Sequence, residues 1–209
     1  MKKILKNSML IGAAVLGVAS VAGSSYVVKA AETPTQTSLS SSATANLQPG
    51  TIQLLTVPNI DFGTVKSSAN DVTYESSTFS SGLEVANPGE PTGWNVVVSS
   101  PGFAMGTPTD TPTTAVGQTL LGAKLSIKDS VESPVHAVDA DNVSVAPVFT
   151  SSIPITTAPA PVLNAPTDTG VGAFMTSFNN SDASLSVPAG NIGGSYSAIL
   201  DWTLSNAPA

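Results

Sequence analysis

The 209-residue chain carries seven lysines, no arginine, fourteen acidic residues and no cysteine, for a formal net charge of −7 at pH 7. That balance lacks the basic footprint of a nucleic-acid binder or of a protein held on anionic lipid. Without cysteine there are no disulfides, so burial and strand pairing must hold the fold together.

Residues 1–30 read as a signal peptide. Lys2, Lys3 and Lys6 form a basic start, Met9 to Gly23 is an apolar small-residue run, and Val28-Lys29-Ala30 fits a cleavage site after Ala30 or Ala31. The apolar run is shorter than the roughly 20 residues a membrane span needs, and no later segment approaches that length. Cleavage leaves Lys66, Lys124 and Lys128, three lysines, against all fourteen acidic residues, so the expected secreted chain carries −11. Such a chain is repelled by anionic polymers unless cations bridge them, and attachment to one must otherwise rest on hydrogen bonds and packing.

After the signal peptide, residues 31–46 are rich in Ser, Thr and Ala and read as a short disordered linker. From residue 47 to 209, short β-branched runs alternate with Gly, Pro, Asn and Asp clusters, the punctuation of a single all-β domain. Thr51 to Val57 is a first strand candidate. Gly82 to Pro91, GLEVANPGEP, reads as a turn because of its Pro and Gly content. In Gly93 to Ser99, GWNVVVS, the side chains of Trp94, Val96 and Val98 share one face. In Ala123 to Lys128, Ala123, Leu125 and Ile127 oppose Lys124, Ser126 and Lys128. Val143 to Phe149 and Gly172 to Phe178 are weaker candidates, while Pro108, Pro112, Pro154, Pro159, Pro161 and Pro166 mark loops or edges. The strongest is Ser195 to Leu204, SYSAILDWTL, with Tyr196, Ala198, Leu200, Trp202 and Leu204 on one face. These half-buried antiparallel strands predict a β-sandwich or a partly open barrel.

The terminal LDWTLSNAP, with Trp202-Thr203-Leu204, resembles the distal motif of the WxL domain of surface proteins of low-GC Gram-positive bacteria. TIQLLTVPNIDFGTV (Thr51 to Val65), LLGAKLSIKD (Leu120 to Asp129), VGAFMTSF (Val171 to Phe178) and SLSVPAGNIGGSYSAILDWTL (Ser184 to Leu204) resemble that family in the same order. The likeness spans about Leu47 to Ala209. The proximal motif here is Trp94-Asn95-Val96, with Val in place of Leu, and Phe174 stands where the family tends to carry a further Trp. The resemblance implies a secreted protein on the outer face of the wall, attached non-covalently, with peptidoglycan as ligand. It also implies a surface complex with a co-encoded partner that recognises the domain, so a structural subunit held by that protein, adhesive in function, is the alternative.

Trp94, Val96, Trp202 and Leu204 are the candidate wall-binding or partner-binding residues. Each sits on an apolar strand face, which usually points into a core, whereas a tryptophan that stacks on a sugar needs one open ring face. The sequence leaves both readings open. Asp139, Asp141 and Asn142, which follow His136, resemble the start of an oxygen-ligand loop. The Gly and distal Glu of an EF-hand are missing, however, and a solvated acidic loop is expected. No nucleophile motif or zinc motif is present, and Glu84 and Glu90 have no activating partner, so neither an enzyme nor a cofactor or metal site is expected.

Overall fold

The β-branched, glycine-punctuated sequence folds as antiparallel strands, and no helix occurs among the described residues. The computed structural model describes residues 39–106, 118–150 and 152–208. The expected signal peptide over residues 1–30, its cleavage site, and Pro108 and Pro112 lie outside the described residues. The chain divides into two compact units, Met1–Thr44 and Ala45–Ala209, and all the described strands belong to the second.

Among the described residues, ten strands are four residues or longer. They are β1 (Gln53–Thr56), β2 (Val72–Glu75), β3 (Leu83–Asn87), β4 (Trp94–Ser99) and β5 (Lys124–Lys128). After these come β6 (Ser152–Ile155), β7 (Ala160–Ala165), β8 (Gly172–Thr176), β9 (Ala183–Val187) and β10 (Asp201–Ser205). They form three four-stranded sheets, none closed into a barrel. Sheet I runs β1, β3, β8 and the short strand His136–Ala137; sheet II runs Val148–Phe149, β7, β4 and β10; sheet III runs β6, β5, β9 and β2. The architecture is an all-β, sandwich-like domain.

One hydrophobic cluster joins the three sheets, with Leu83 and Val85 of β3, Trp94, Val96 and Val98 of β4, and Leu125 and Ile127 of β5. Val162 and Leu163, consecutive on β7, are both fully buried. A bulge makes that possible: Pro161 pairs with Val97 and Leu163 with Val96, so Val162 is the extra residue and the usual in-out alternation fails locally.

The apolar faces expected for β4 and β5 are observed, with Trp94, Val96, Val98, Leu125 and Ile127 buried, though Asn95 on the other face of β4 is buried as well. Other expectations need correction. Ser195 to Leu204 is not one strand: Tyr196–Ser197 pairs with Ala104–Met105, and only Asp201 onward pairs with β4. Of Val143 to Phe149, only Val148–Phe149 is a strand. Gly82 to Pro91 is more than a turn, because Leu83 and Val85 within it are 0% exposed and form the interior strand β3. Pro154 lies on the edge strand β6, as a residue without an N–H should, but Pro161 sits inside β7 at its bulge.

Candidate binding site

β4 and β10 are neighbours, with Trp202 opposite Val98 and Leu204 opposite Val96. Directly paired residues point to the same side of a sheet, so both tryptophan motifs share one face. Their surroundings differ. Trp94 is 0% exposed, and its Nε1 donates to the Gly170 carbonyl at 3.0 Å. Gly170 holds φ +64°, and a Cβ there would stand 2.8 Å from Trp94 Nε1 and 2.6 Å from the Ala165 Cβ, so the residue is glycine for both conformation and space. Val96 is also fully enclosed. Neither side chain has surface to offer a ligand.

Trp202 is half-buried, packs on the edge of the core, and borders two depressions. Its Nε1 is buried and has no hydrogen-bond partner among the described residues. The larger depression is a cleft of about 680 Å³. Its walls include the segment from Val57 to Gly63, residues 191–200, and the β2 and β9 side chains Val72, Tyr74, Leu185 and Val187. The smaller, about 320 Å³, lies between Leu54, Leu55 and Thr56 of β1 and Leu200, Asp201 and Trp202. β1 ends sheet I and β10 ends sheet II, so this crevice separates two sheet edges.

The cleft walls are held by the chain's own bonds. The Tyr74 hydroxyl donates to the Lys66 carbonyl at 2.5 Å and the Tyr196 hydroxyl to the Ile192 carbonyl at 2.8 Å, which fixes both rings. Asn191 Nδ2 donates to the Leu121 and Pro188 carbonyls at 3.0 and 2.9 Å, and its Oδ1 accepts from the Leu121 N–H at 2.7 Å. Among the described residues, Asp61 is the only acidic side chain on the lining and no lysine lines it; Asp61 Oδ1 accepts from the Gly63 N–H at 2.8 Å. The remaining lining is aromatic, aliphatic, Ser and Asn, which suits an uncharged, hydrogen-bonding ligand with apolar faces.

Of the four residues singled out from the sequence, only Trp202 borders the cleft; Leu204 is half-buried against the core. Sequence reasoning did not single out Tyr74 or the stretch from Asn59 to Ser68, in which Ile60–Asp61 is a short strand paired with Thr78–Phe79. His136 is exposed, with Nδ1 2.9 Å from the Pro134 carbonyl oxygen. Asp139 Oδ1 accepts from the Asp141 N–H at 3.0 Å and Asn142 Oδ1 from the Ser144 N–H at 2.8 Å, so these groups cap their own loop. A second buried polar atom without a partner among the described residues, Asp129 Oδ1, lies outside the cleft. Burial pushes the Asp129 carboxyl above its ordinary 3.8, the Ser130 backbone opposes that, and the neighbouring Asp182 charge adds to it.

The sequence profile of the WxL domain surface cell wall-binding family matches residues 28–208, and the chain belongs to that family. Membership assigns it to attachment at the cell wall, on the cell surface, in a family of binding domains rather than enzymes. No curated protein and no solved structure matches it. No helix among the described residues is long and apolar enough to cross a membrane.

Proposed function

We propose that the secreted chain is held on the wall by peptidoglycan bound in the cleft beside Trp202. The observation that carries this reading is the half-buried Trp202 at the border of an aromatic-walled cleft whose lining, among the described residues, holds one carboxylate, Asp61, and no lysine. Tyr74, Tyr196 and Trp202 supply apolar ring surface for sugar or peptide, and Ser and Asn groups supply the polar contacts. Trp94 and Val96 act by packing, through the position they give β4.

The test is sedimentation of the purified protein with peptidoglycan sacculi stripped of protein and wall polymers, at low and high salt. Salt-resistant co-sedimentation, reduced in Trp202→Phe without loss of fold, is the expected result. Protein left in the supernatant overturns it.

The second reading, attachment through another surface protein, draws on the crevice between β1 and β10. Edge strands carry unpaired N–H and C=O groups, and an extended segment of a partner can add to such an edge. Retention on whole walls but not on stripped sacculi selects this alternative.

A further inference from the structure

The crevice lies between the first strand of sheet I and the last of sheet II, and the cleft shares Val57, Leu200 and Trp202 with it. At the other end of each sheet stand His136–Ala137 and Val148–Phe149, and residues 138–147 connect them. This connection is fixed from both ends. The Val138 N–H donates to the Ala173 carbonyl at 2.9 Å, and the Gly170 N–H donates to the Val145 carbonyl at 2.9 Å. Between them, Asn142 Nδ2 donates to the Val171 carbonyl at 3.0 Å and the Val171 N–H returns to Ser144 Oγ at 3.0 Å. The Asn142 N–H adds a bond to the Asp139 carbonyl at 3.1 Å.

A loop held this firmly has its side-chain directions set, and it turns four valines outward beside two carboxylates. Val143 is 100% exposed, Val145 68%, Val148 65% and Val138 51%. Single exposed apolar residues are ordinary, but a run of them on one fixed loop marks an interaction surface. The charged side chains of the segment carry one sign: Glu132, Asp139 and Asp141 are exposed, and residues 131–149 contain no lysine. That rim repels an anionic lipid surface and a second copy of the same loop. It attracts a cationic partner.

We propose that the loop from Val138 to Val148 is a docking surface for a segment of another protein that presents apolar side chains flanked by lysine or arginine. It lies at the opposite sheet edges from the crevice, and none of its residues lines the cleft, so partner docking and wall attachment proceed together, and the proposal does not rest on the wall reading.

The probe is a fluorescently labelled peptide of alternating leucine and lysine, compared with serine/lysine and leucine/glutamate peptides of the same length, by anisotropy against the purified protein. The leucine/lysine peptide is expected to bind at least about tenfold more tightly than either control. A Val143→Ser, Val145→Ser variant is expected to lose at least about tenfold, and Glu132→Gln with Asp141→Asn to lose less and to flatten the salt dependence. Both variants alter exposed side chains and should leave the circular dichroism spectrum unchanged. Equal binding of the leucine/lysine and serine/lysine peptides overturns the proposal, as does full binding by the valine variant. A dimer in sedimentation velocity that Val143→Ser dissolves also overturns it, because the occupant is then a second copy.

Discussion

Trp94 and Trp202 stand on adjacent antiparallel strands, point to the same face of one sheet and begin motifs of the same pattern, yet they have different fates. β4 has a strand on each side, and the Trp94 N–H finds the Gly170 carbonyl. β10 has a strand on one side only, and the Trp202 N–H finds no partner within the described residues. The contrast teaches that the motif specifies an apolar strand, and that position in the sheet decides whether its tryptophan is structure or surface. An interior strand is covered by its neighbours, while an edge strand leaves main-chain N–H and C=O groups open.

Trp94→Ala should do the most damage: loss of a fully buried indole costs about 3–5 kcal/mol, read in urea unfolding, with wall binding lost only where the fold is lost. Gly170→Ala comes next, at about 1–3 kcal/mol, since the new methyl group meets Ala165 and Trp94 in a left-handed backbone conformation. If either variant is as stable as the parent, the enclosure of Trp94 is not what separates the two motifs. Trp202→Phe should shift stability by no more than about 1 kcal/mol, because the lost ring volume is offset by removal of an unpaired buried donor. Its sacculus binding should still fall, and a large stability loss with unchanged binding would make Trp202 a core residue like Trp94.

The smallest effect belongs to Asp129→Asn, which asks what an unpaired buried atom does away from the cleft. Because the folded carboxyl is raised above 3.8, the folded state holds its proton more tightly than the unfolded state. Stability therefore falls as pH rises from 3.8 through the folded value, and the penalty stays constant above it. The variant should melt slightly higher than the parent at pH 7, with the gap closing as pH is lowered towards 3.8, and wall binding should not change.

The strand faces of β4 and β5 were legible because alternation is a local property: a residue and its next neighbour point to opposite sides whatever else the chain does. The continuous strand read over Ser195 to Leu204 failed because alternation does not report where a partner strand ends. Tyr196–Ser197 pairs with Ala104–Met105, while Asp201–Ser205 pairs with β4. β3 was hidden behind its own proline and glycines, although Leu83 and Val85 alternate cleanly. The cleft was illegible, since its walls come from residues 57–74, 185–188 and 191–202, brought together only by pairings across the chain.

By itself, then, the sequence determined an acidic, disulfide-free, all-β chain of the WxL family, with two tryptophan-bearing strands of known facing. The charge, the lack of disulfides and the strand faces follow from composition and from contacts a residue or two apart, and the family from the resemblance of its ordered motifs. Tertiary structure alone decided that Trp94 is sealed and Trp202 borders a cleft, that two sheet edges face a crevice, and that a pinned loop turns its valines outward. Each of these depends on which distant strand lies alongside, and the interleaving of β1 to β10 among three sheets leaves no trace in local periodicity.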